Sequence, residues 1–268
     1  MWKSAVLVAG VARSGTSWVG QILNSSEYVR FRFQPLFSYE FKNQVNEDSS
    51  PAEFRQFLDG LWATESDFLS QRDKIDLGDY PNFRKVDAAH TLVLKENRYQ
   101  TVIEPMLRKV PELKLIGVIR NPCAVINSWR HNEKEFPAEA ILRDEWRFGN
   151  CKNEGNQDYF GYYKWKEVAN LYLDLQDQMP DRVRVVSYEN LVENRAEEAS
   201  EMFEYVGLQL GEQTRAFLEE SSRARSDSYY SVFKDSAVAG KWRAELDAYI
   251  VSEIQADVRD TRLEQFFR

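Results

Sequence analysis

Three groups of residues in this chain have the types and spacing to handle an anion. The first is Gly10-Val11-Ala12-Arg13-Ser14-Gly15-Thr16-Ser17, in which two glycines bound a short run carrying one guanidinium and followed by hydroxyls. The second is the pair Lys95-Glu96, and the third is Arg120 with Ser128 about two helical turns further on. The first group nearly fits the nucleotide loop G-x-x-x-x-G-K-[ST], with Gly10, Gly15 and Ser17 in register. Thr16 stands where that loop has the lysine that reaches the terminal phosphates, and the positive charge has moved to Arg13. Such a loop is poorly suited to two terminal phosphates and Mg²⁺, but it can hold a shorter anionic group through backbone and hydroxyl donors. Arg120 points the same way. A nucleotide-hydrolysing enzyme with this loop usually has a magnesium-holding acid at the corresponding strand end, whereas a guanidinium there grips a phosphate directly with its planar fork.

These residues need a scaffold that brings strand ends and a helix start together. Ala5-Val6-Leu7-Val8-Ala9 is an apolar run of the kind buried on both faces of a parallel sheet, and Trp18, Val19, Ile22 and Leu23 follow at helical spacing. Strand, loop and helix in that order aim unpaired amides and a helix dipole at one point. Thr91 to Glu96 and Leu113 to Arg120 read as further buried strands with charge at their carboxyl ends, where open parallel sheets bind ligands. A helix from about Gln100 to Val110 separates them. Asn121-Pro122 opens another through Ala124, Val125, Ser128 and Trp129. Trp165, Val168, Tyr172 and Leu175 form a helix stopping before Pro180. Val183 to Tyr188 is a strand, and Ala199, Met202, Phe203 and Val206 form a helix ended by Gly207. Part of the aromatic stretch Tyr28 to Phe41 supplies a second strand. Ser50-Pro51-Ala52-Glu53 starts a helix carried by Phe54, Phe57, Leu58 and Leu61. Thr64 to Ala88 is polar and weakly periodic, and Arg223 to Lys241 has no period. Strands alternating with helices give an α/β fold: a doubly wound parallel sheet flanked by helices in a three-layer sandwich like that of P-loop NTPases. The expected organisation is one domain over residues 1–268, with a helical excursion at about 50–90 on the acceptor side.

Composition narrows the function classes. The chain has 268 residues, 43% of them hydrophobic and 13% aromatic, enough for a large core. A net charge of −8 argues against a dedicated nucleic-acid binder. Its two cysteines, Cys123 and Cys151, and two histidines, His90 and His131, give neither a disulfide framework nor metal-ligand spacing, so no metal site is expected and a reducing, cytoplasmic home fits. No apolar run approaches the roughly 20 residues of a membrane span, and no signal peptide is read.

In combination, Arg13-Ser14-Gly15-Thr16-Ser17-Trp18, Val118-Ile119-Arg120-Asn121-Pro122 with Ser128, Tyr188-Glu189-Asn190 and the late Gly240-Lys241-Trp242 resemble the sulfotransferases that use 3′-phosphoadenosine 5′-phosphosulfate (PAPS). The resemblance runs from Val6 to about Leu246. It implies that Arg13 to Ser17 cradle the 5′-phosphosulfate, Trp18 packs on the adenine, Arg120 and Ser128 hold the 3′-phosphate, and Tyr188 approaches the adenine. It also implies release of adenosine 3′,5′-bisphosphate (PAP) and no metal. Many cytosolic members have lysine at the position of Arg13; an arginine there acts electrostatically on the charge that builds at the leaving oxygen.

The chain departs from the family in two places. Related carbohydrate and bacterial enzymes often place a Glu near a proline some twenty residues after the loop, where this chain has Gln34-Pro35. Cytosolic members use a His two residues after a strand-end Lys, where this chain has Lys95-Glu96-Asn97. The candidates left for the base are Glu96, Glu40 and His90, of which Glu96 stands at a strand end beside a cation. In the late loop, some members bind the 3′-phosphate with Arg-Lys-Gly, whereas Lys234-Asp235-Ser236-Ala237 stands here; Lys234 or Lys241 is the substitute, with Trp242 beside it. The sequence-based expectation is sulfuryl transfer from PAPS to a hydroxyl or amine of a small-molecule acceptor, carbohydrates included. The alternatives are a P-loop small-molecule kinase using ATP and Mg²⁺ and a non-catalytic nucleotide-binding module.

Overall fold

The computed structural model describes residues 1–223 and 240–268. Five strands form one parallel sheet: β1 (Ser4–Ala9), β2 (Val29–Phe33), β3 (Thr91–Glu96), β4 (Leu113–Ile119) and β5 (Val183–Ser187), in the order β2-β3-β1-β4-β5. The three inner strands are the three longest apolar runs noted above, and they are buried on both faces because helices cover both. Residues alternate between two cores. Ala5, Leu7, Leu92, Leu94 and Leu115 face the helices Pro51–Ala63, Ile103–Lys109, Pro122–Arg130, Tyr162–Gln178 and Ala248–Val258. Val6, Val8, Val93, Ile116 and Val118 face Thr16–Asn24, Arg195–Val206 and Glu212–Arg223. This is the doubly wound three-layer arrangement expected from the alternation of strands and helices.

The strand order fixes where ligands can sit. After β1 the chain runs to one side of the sheet for β2 and β3, and then crosses β1 to lay down β4 and β5 on the other side. The connections diverge at the carboxyl end of β1, between β3 and β4, and this reversal leaves a crevice there. The Gly10–Ser17 loop leaves β1 at that point, with Lys95 and Glu96 ending β3 on one flank and Arg120 following β4 on the other.

Some elements differ from the sequence expectation. β4 stops at Ile119, since Asn121 turns the chain and caps the helix Pro122–Arg130 by accepting from the Cys123 and Ala124 amides. The Gln100–Val110 segment begins as a 3₁₀ turn at Gln100–Val102 before the helix Ile103–Lys109. The polar stretch after Thr64 forms two very short helices, Asp67–Ser70 and Arg72–Asp76, and it divides. Phe68 packs edge-on against Phe33 and Tyr39 beyond β2. Tyr80 enters the core on the other side of the helix Thr16–Asn24, and Lys85 donates to the carbonyls of Asn24 and Ser26 and to Asn24 Oδ1 at that helix's carboxyl end. No helix among the described residues is long and apolar enough to cross a membrane.

Candidate active site

The loop is shaped by two left-handed residues, Arg13 (φ 72°) and Gly15 (φ 90°), the second of which precedes the helix Thr16–Asn24 without any side-chain cap. Such alternation curls successive amides inward as an anion-binding nest. The first helical amides, at Thr16 and Ser17, have no acceptor within the helix. Gly15 is required twice over. Besides its φ, a Cβ at this position would lie 2.4 Å from the Tyr188 ring. At Gly10 a Cβ would lie 2.6 Å from the Val118 carbonyl oxygen, so the loop is held tight against β4. Ser14 is completely buried, and its Oγ has no hydrogen-bond partner among the described residues. A buried, unsatisfied hydroxyl within a nest of amides suits a phosphate-like oxygen.

Arg120 closes one side of this nest. Its Nη1 donates to the Arg13 carbonyl at 3.0 Å and its guanidinium lies 4.7 Å from the centre of the Tyr188 ring. Glu189 faces it and accepts the Asn121 amide with both carboxylate oxygens at 3.1 Å. Burial raises the Glu189 pKa, and Arg120 opposes that rise. Among the described residues the buried Arg120 Nε has no hydrogen-bond partner, so the fork is fixed in place with a donor to spare. Tyr188 thus sits between Gly15 and Arg120, and Trp18 meets its ring edge-on at 5.9 Å. The Trp18 Nε1 donates to Ser221. Arg13 donates from Nε to the Ser128 hydroxyl at 3.1 Å, which ties the loop to the helix Pro122–Arg130. The structure therefore brings Arg13, Ser14, Gly15, Thr16, Ser17, Trp18, Arg120, Ser128 and Tyr188 to one crevice.

On the β3 flank, Lys95 and Glu96 are both buried, with exposures of 2% and 3%, and they point to opposite faces of the sheet. Lys95 leans over the helix Thr16–Asn24, its Cβ 3.7 Å from a Cβ built on Gly20, and its ammonium lies 4.7 Å from the Phe33 ring centre. Desolvation lowers its pKa to about 8; Glu96 and Glu135 counter that shift and Arg13 adds to it. Glu96 turns into the apolar core among Leu7, Leu36, Leu94 and Met106, where desolvation raises its pKa to about 7. Its Oε1 accepts the Asn97 and Arg98 amides, the Leu36 backbone also favours its charged form, and its Oε2 meets no donor in hydrogen-bond geometry among the described residues. Gln34 donates to Asn97 through their side-chain amides, so neither offers a carboxylate or imidazole here.

Other candidate residues fall elsewhere. His90 precedes the first residue of β3, at the amino end of the sheet, where it stacks on Tyr28. With six strand residues between it and the carboxyl end, roughly 20 Å, it cannot serve as base, which corrects that expectation. Glu40 is exposed and accepts from the Thr64 hydroxyl. Trp242 is buried in the core cluster that also holds residues of the helix Pro122–Arg130, and it packs against Phe267. Its bulk serves the core and not an open nucleotide surface, which corrects its expected role. Lys241 is exposed at the start of the helix Trp242–Glu245, and Lys234 lies outside the described residues.

The structure adds two residues that the sequence motifs did not single out. Tyr80, carried in from the polar excursion, hydrogen-bonds to Ser17 and is held above the usual phenol range, at about 12, mainly by burial. Glu135 places its Oε2 3.9 Å from Arg13 Nη1. A nearby signal for Glu135 did exist, since it follows the helix that carries Ser128, but it stands in the polar run Asn132-Glu133-Lys134-Glu135 without a motif.

Comparison with known proteins shows the family and the fold. The sulfotransferase domain model matches residues 3–266, and the chain belongs to that family. No curated protein matches the sequence. Among solved structures, the chain is similar to retinol dehydratase in a complex with retinol and PAP (TM-score 0.58, 15% identity, 98% of this chain and 83% of that one). It is likewise similar to mouse sulfotransferase SULT7A1 complexed with PAP (0.55, 12%, 100% and 89%) and to the sulfotransferase domain from the curacin biosynthetic pathway (0.55, 15%, 96% and 98%). At these identities the similarity establishes a shared fold.

Proposed function

We propose that the chain moves a sulfuryl group from PAPS to a hydroxyl or amine of a small-molecule acceptor. The observation that carries this reading is the pairing of two fixed guanidiniums across one amide nest: Arg13 on the loop and Arg120 at the end of β4, with the Arg120 fork docked on the Arg13 carbonyl and the Tyr188 ring. A single bound nucleotide with phosphates at both its 5′ and 3′ positions would engage both. The loop amides, Ser14, Thr16 and Ser17 would hold the 5′-phosphosulfate, Arg120 and Ser128 the 3′-phosphate, and Trp18 and Tyr188 the adenine. The neighbours solved with PAP support the choice of donor.

The bound donor supplies an activated sulfuryl group whose transfer leaves charge on a phosphate oxygen. Arg13, always protonated, stabilises that charge without a proton transfer, and such fixed donors are worth about 3–4 kcal/mol each in a water-excluded site. Lys95, buried and facing the same region, adds a second cation. Beyond β2, Phe33, Tyr39 and Phe68 meet edge to edge, and Arg98 lies over Phe37 while paired to Asp158 at 2.5 Å. This aromatic rim suits a small, partly apolar acceptor. Incubation with ³⁵S-labelled PAPS and a panel of small hydroxyl and amine acceptors tests the reading. Label should appear on at least one acceptor with release of PAP, whereas label retained on the nucleotide throughout would refute it.

A further inference from the structure

Beyond the carboxyl ends of β2 and β3, Gln34 and Asn97 are two neutral amides bonded to each other. Glu96 faces the opposite core with Oε1 committed to two backbone amides, and Glu40 is engaged by Thr64 on the surface. Among the described residues, Glu135 is the carboxylate that stands beside the Arg13 guanidinium. Glu135 lies 3.9 Å from Arg13 Nη1, beyond hydrogen-bond distance, although other ion pairs in the chain close to 2.5–2.9 Å, as at Arg98–Asp158 and Arg55–Glu112. Its Oε2 is buried and accepts no hydrogen bond among the described residues. The same carboxylate is near enough to Lys95 to favour that ammonium's charged form. Glu135 therefore lies beside two of the site's cations, Arg13 and Lys95, with Oε2 accepting no hydrogen bond among the described residues.

Its position is rigid. The Glu135 amide donates to the Asn132 carbonyl at 2.8 Å, its own carbonyl accepts Trp129 Nε1 at 2.9 Å, and the adjacent Phe136 ring packs on Trp129 at 5.0 Å. The hydrogen bonds and the ring contact run to residues at or just beyond the end of the helix that carries Ser128, so the backbone that carries Glu135 is tied to that helix.

We propose that Glu135 is the general base that takes the proton from a hydroxyl acceptor. This assignment rests on the reading of the crevice as a sulfuryl-transfer site. As the acceptor oxygen bonds to sulfur, its proton passes to Glu135 Oε2. The sulfur–oxygen bond to the 5′-phosphate breaks, with its electron pair left on the phosphate oxygen. Arg13 and Lys95 flank the path of the negative charge, and neutralising Glu135 strengthens their net field on the departing group.

The test is Glu135→Gln, which keeps the shape and removes the base. Sulfuryl transfer from PAPS is measured to water, to neutral alcohols, and to 4-nitrophenol in mildly alkaline buffer, where that phenol is already ionised. Loss of a general base lowers transfer to water and alcohols by at least about 100-fold, while transfer to the phenolate falls by less than about fivefold. PAP affinity stays within about threefold of wild type. Equal losses with all acceptors, or a drop in PAP affinity of more than about tenfold, would overturn the assignment and leave Glu135 as a residue that merely positions Arg13. Failure of the wild-type chain to bind PAP would instead refute the sulfuryl-transfer reading itself. PAP binding without transfer to any acceptor would refute both.

Discussion

The two flanks of the crevice are built on different principles. On the β4 side, binding groups are backbone amides and guanidiniums, each fixed by a second contact: Gly15 by Tyr188, Arg120 by the Arg13 carbonyl and Tyr188, and Asn121 by Glu189. On the β3 side, the strand ends in a buried Lys and a buried Glu on opposite faces, beside a neutral amide pair and an aromatic rim. A donor that never varies can be held by backbone geometry, which tolerates little substitution. An acceptor site rests on side chains, which can be exchanged without disturbing the fold. Apart from Arg13 and Glu135, whose charges bear on turnover, the first flank should therefore respond to mutation in nucleotide binding, and the second in turnover and pH dependence.

The sharpest break should come at Gly15→Ala. A φ of 90° and a Cβ 2.4 Å from the Tyr188 ring combine backbone strain with a clash in the nest, so PAP binding should be lost, as read by calorimetry. Gly78→Ala, also at positive φ but with nothing within 4 Å, should retain PAP binding and lose only about 1 kcal/mol of stability. Next in size is Arg13→Ala, expected to lower turnover about 100- to 1,000-fold while PAP affinity changes by only a few fold. Arg120→Ala should weaken PAP by about 10- to 100-fold and adenosine 5′-phosphate much less, since only PAP has a 3′-phosphate for this fork. Equal losses for both nucleotides would remove Arg120 from the 3′ site.

The β3 flank should show itself in pH. Turnover should fall as pH rises through about 8, where Lys95 loses its charge, and Lys95→Arg should move that fall to higher pH. Glu96 gives the smallest effect, in stability. Its folded pKa, about 7, lies above the ordinary 4.5, so the folded state binds the extra proton between those values. Its contribution is fully present below about 4.5 and is lost as pH rises through about 7. Urea denaturation should therefore show stability declining across that window. Glu96→Gln should flatten the decline; an unchanged slope would mean that another group causes it.

How much could be read from the sequence follows the same division. β1, β3 and β4 announce themselves as apolar runs ending in charge, and Gly10, Gly15 and Arg120 are legible because a nest and a strand-end fork demand those residue types at those positions. β4 ends at Ile119, one residue before the charge at Arg120, because Asn121 commits its side chain to capping the next helix. Other placements depend on chain path rather than local pattern. Tyr80 reaches Ser17 from helices too short to show a period, and Glu135 reaches Arg13 from a polar turn. His90 was separable in principle: in a parallel sheet a residue before a strand lies at the end opposite the ligand. Trp242 illustrates the opposite error, a motif residue whose aromatic bulk serves the core.

The central claim is that two cationic pockets grip opposite ends of one adenine nucleotide. Calorimetric titration of the wild-type chain with PAP, adenosine 5′-phosphate and ATP with Mg²⁺ tests it most directly. The account predicts that PAP binds without added divalent ion and at least about tenfold more tightly than either of the others, a difference of about 1.4 kcal/mol. PAP binding no tighter than adenosine 5′-phosphate, or magnesium-dependent ATP binding stronger than both, would contradict it.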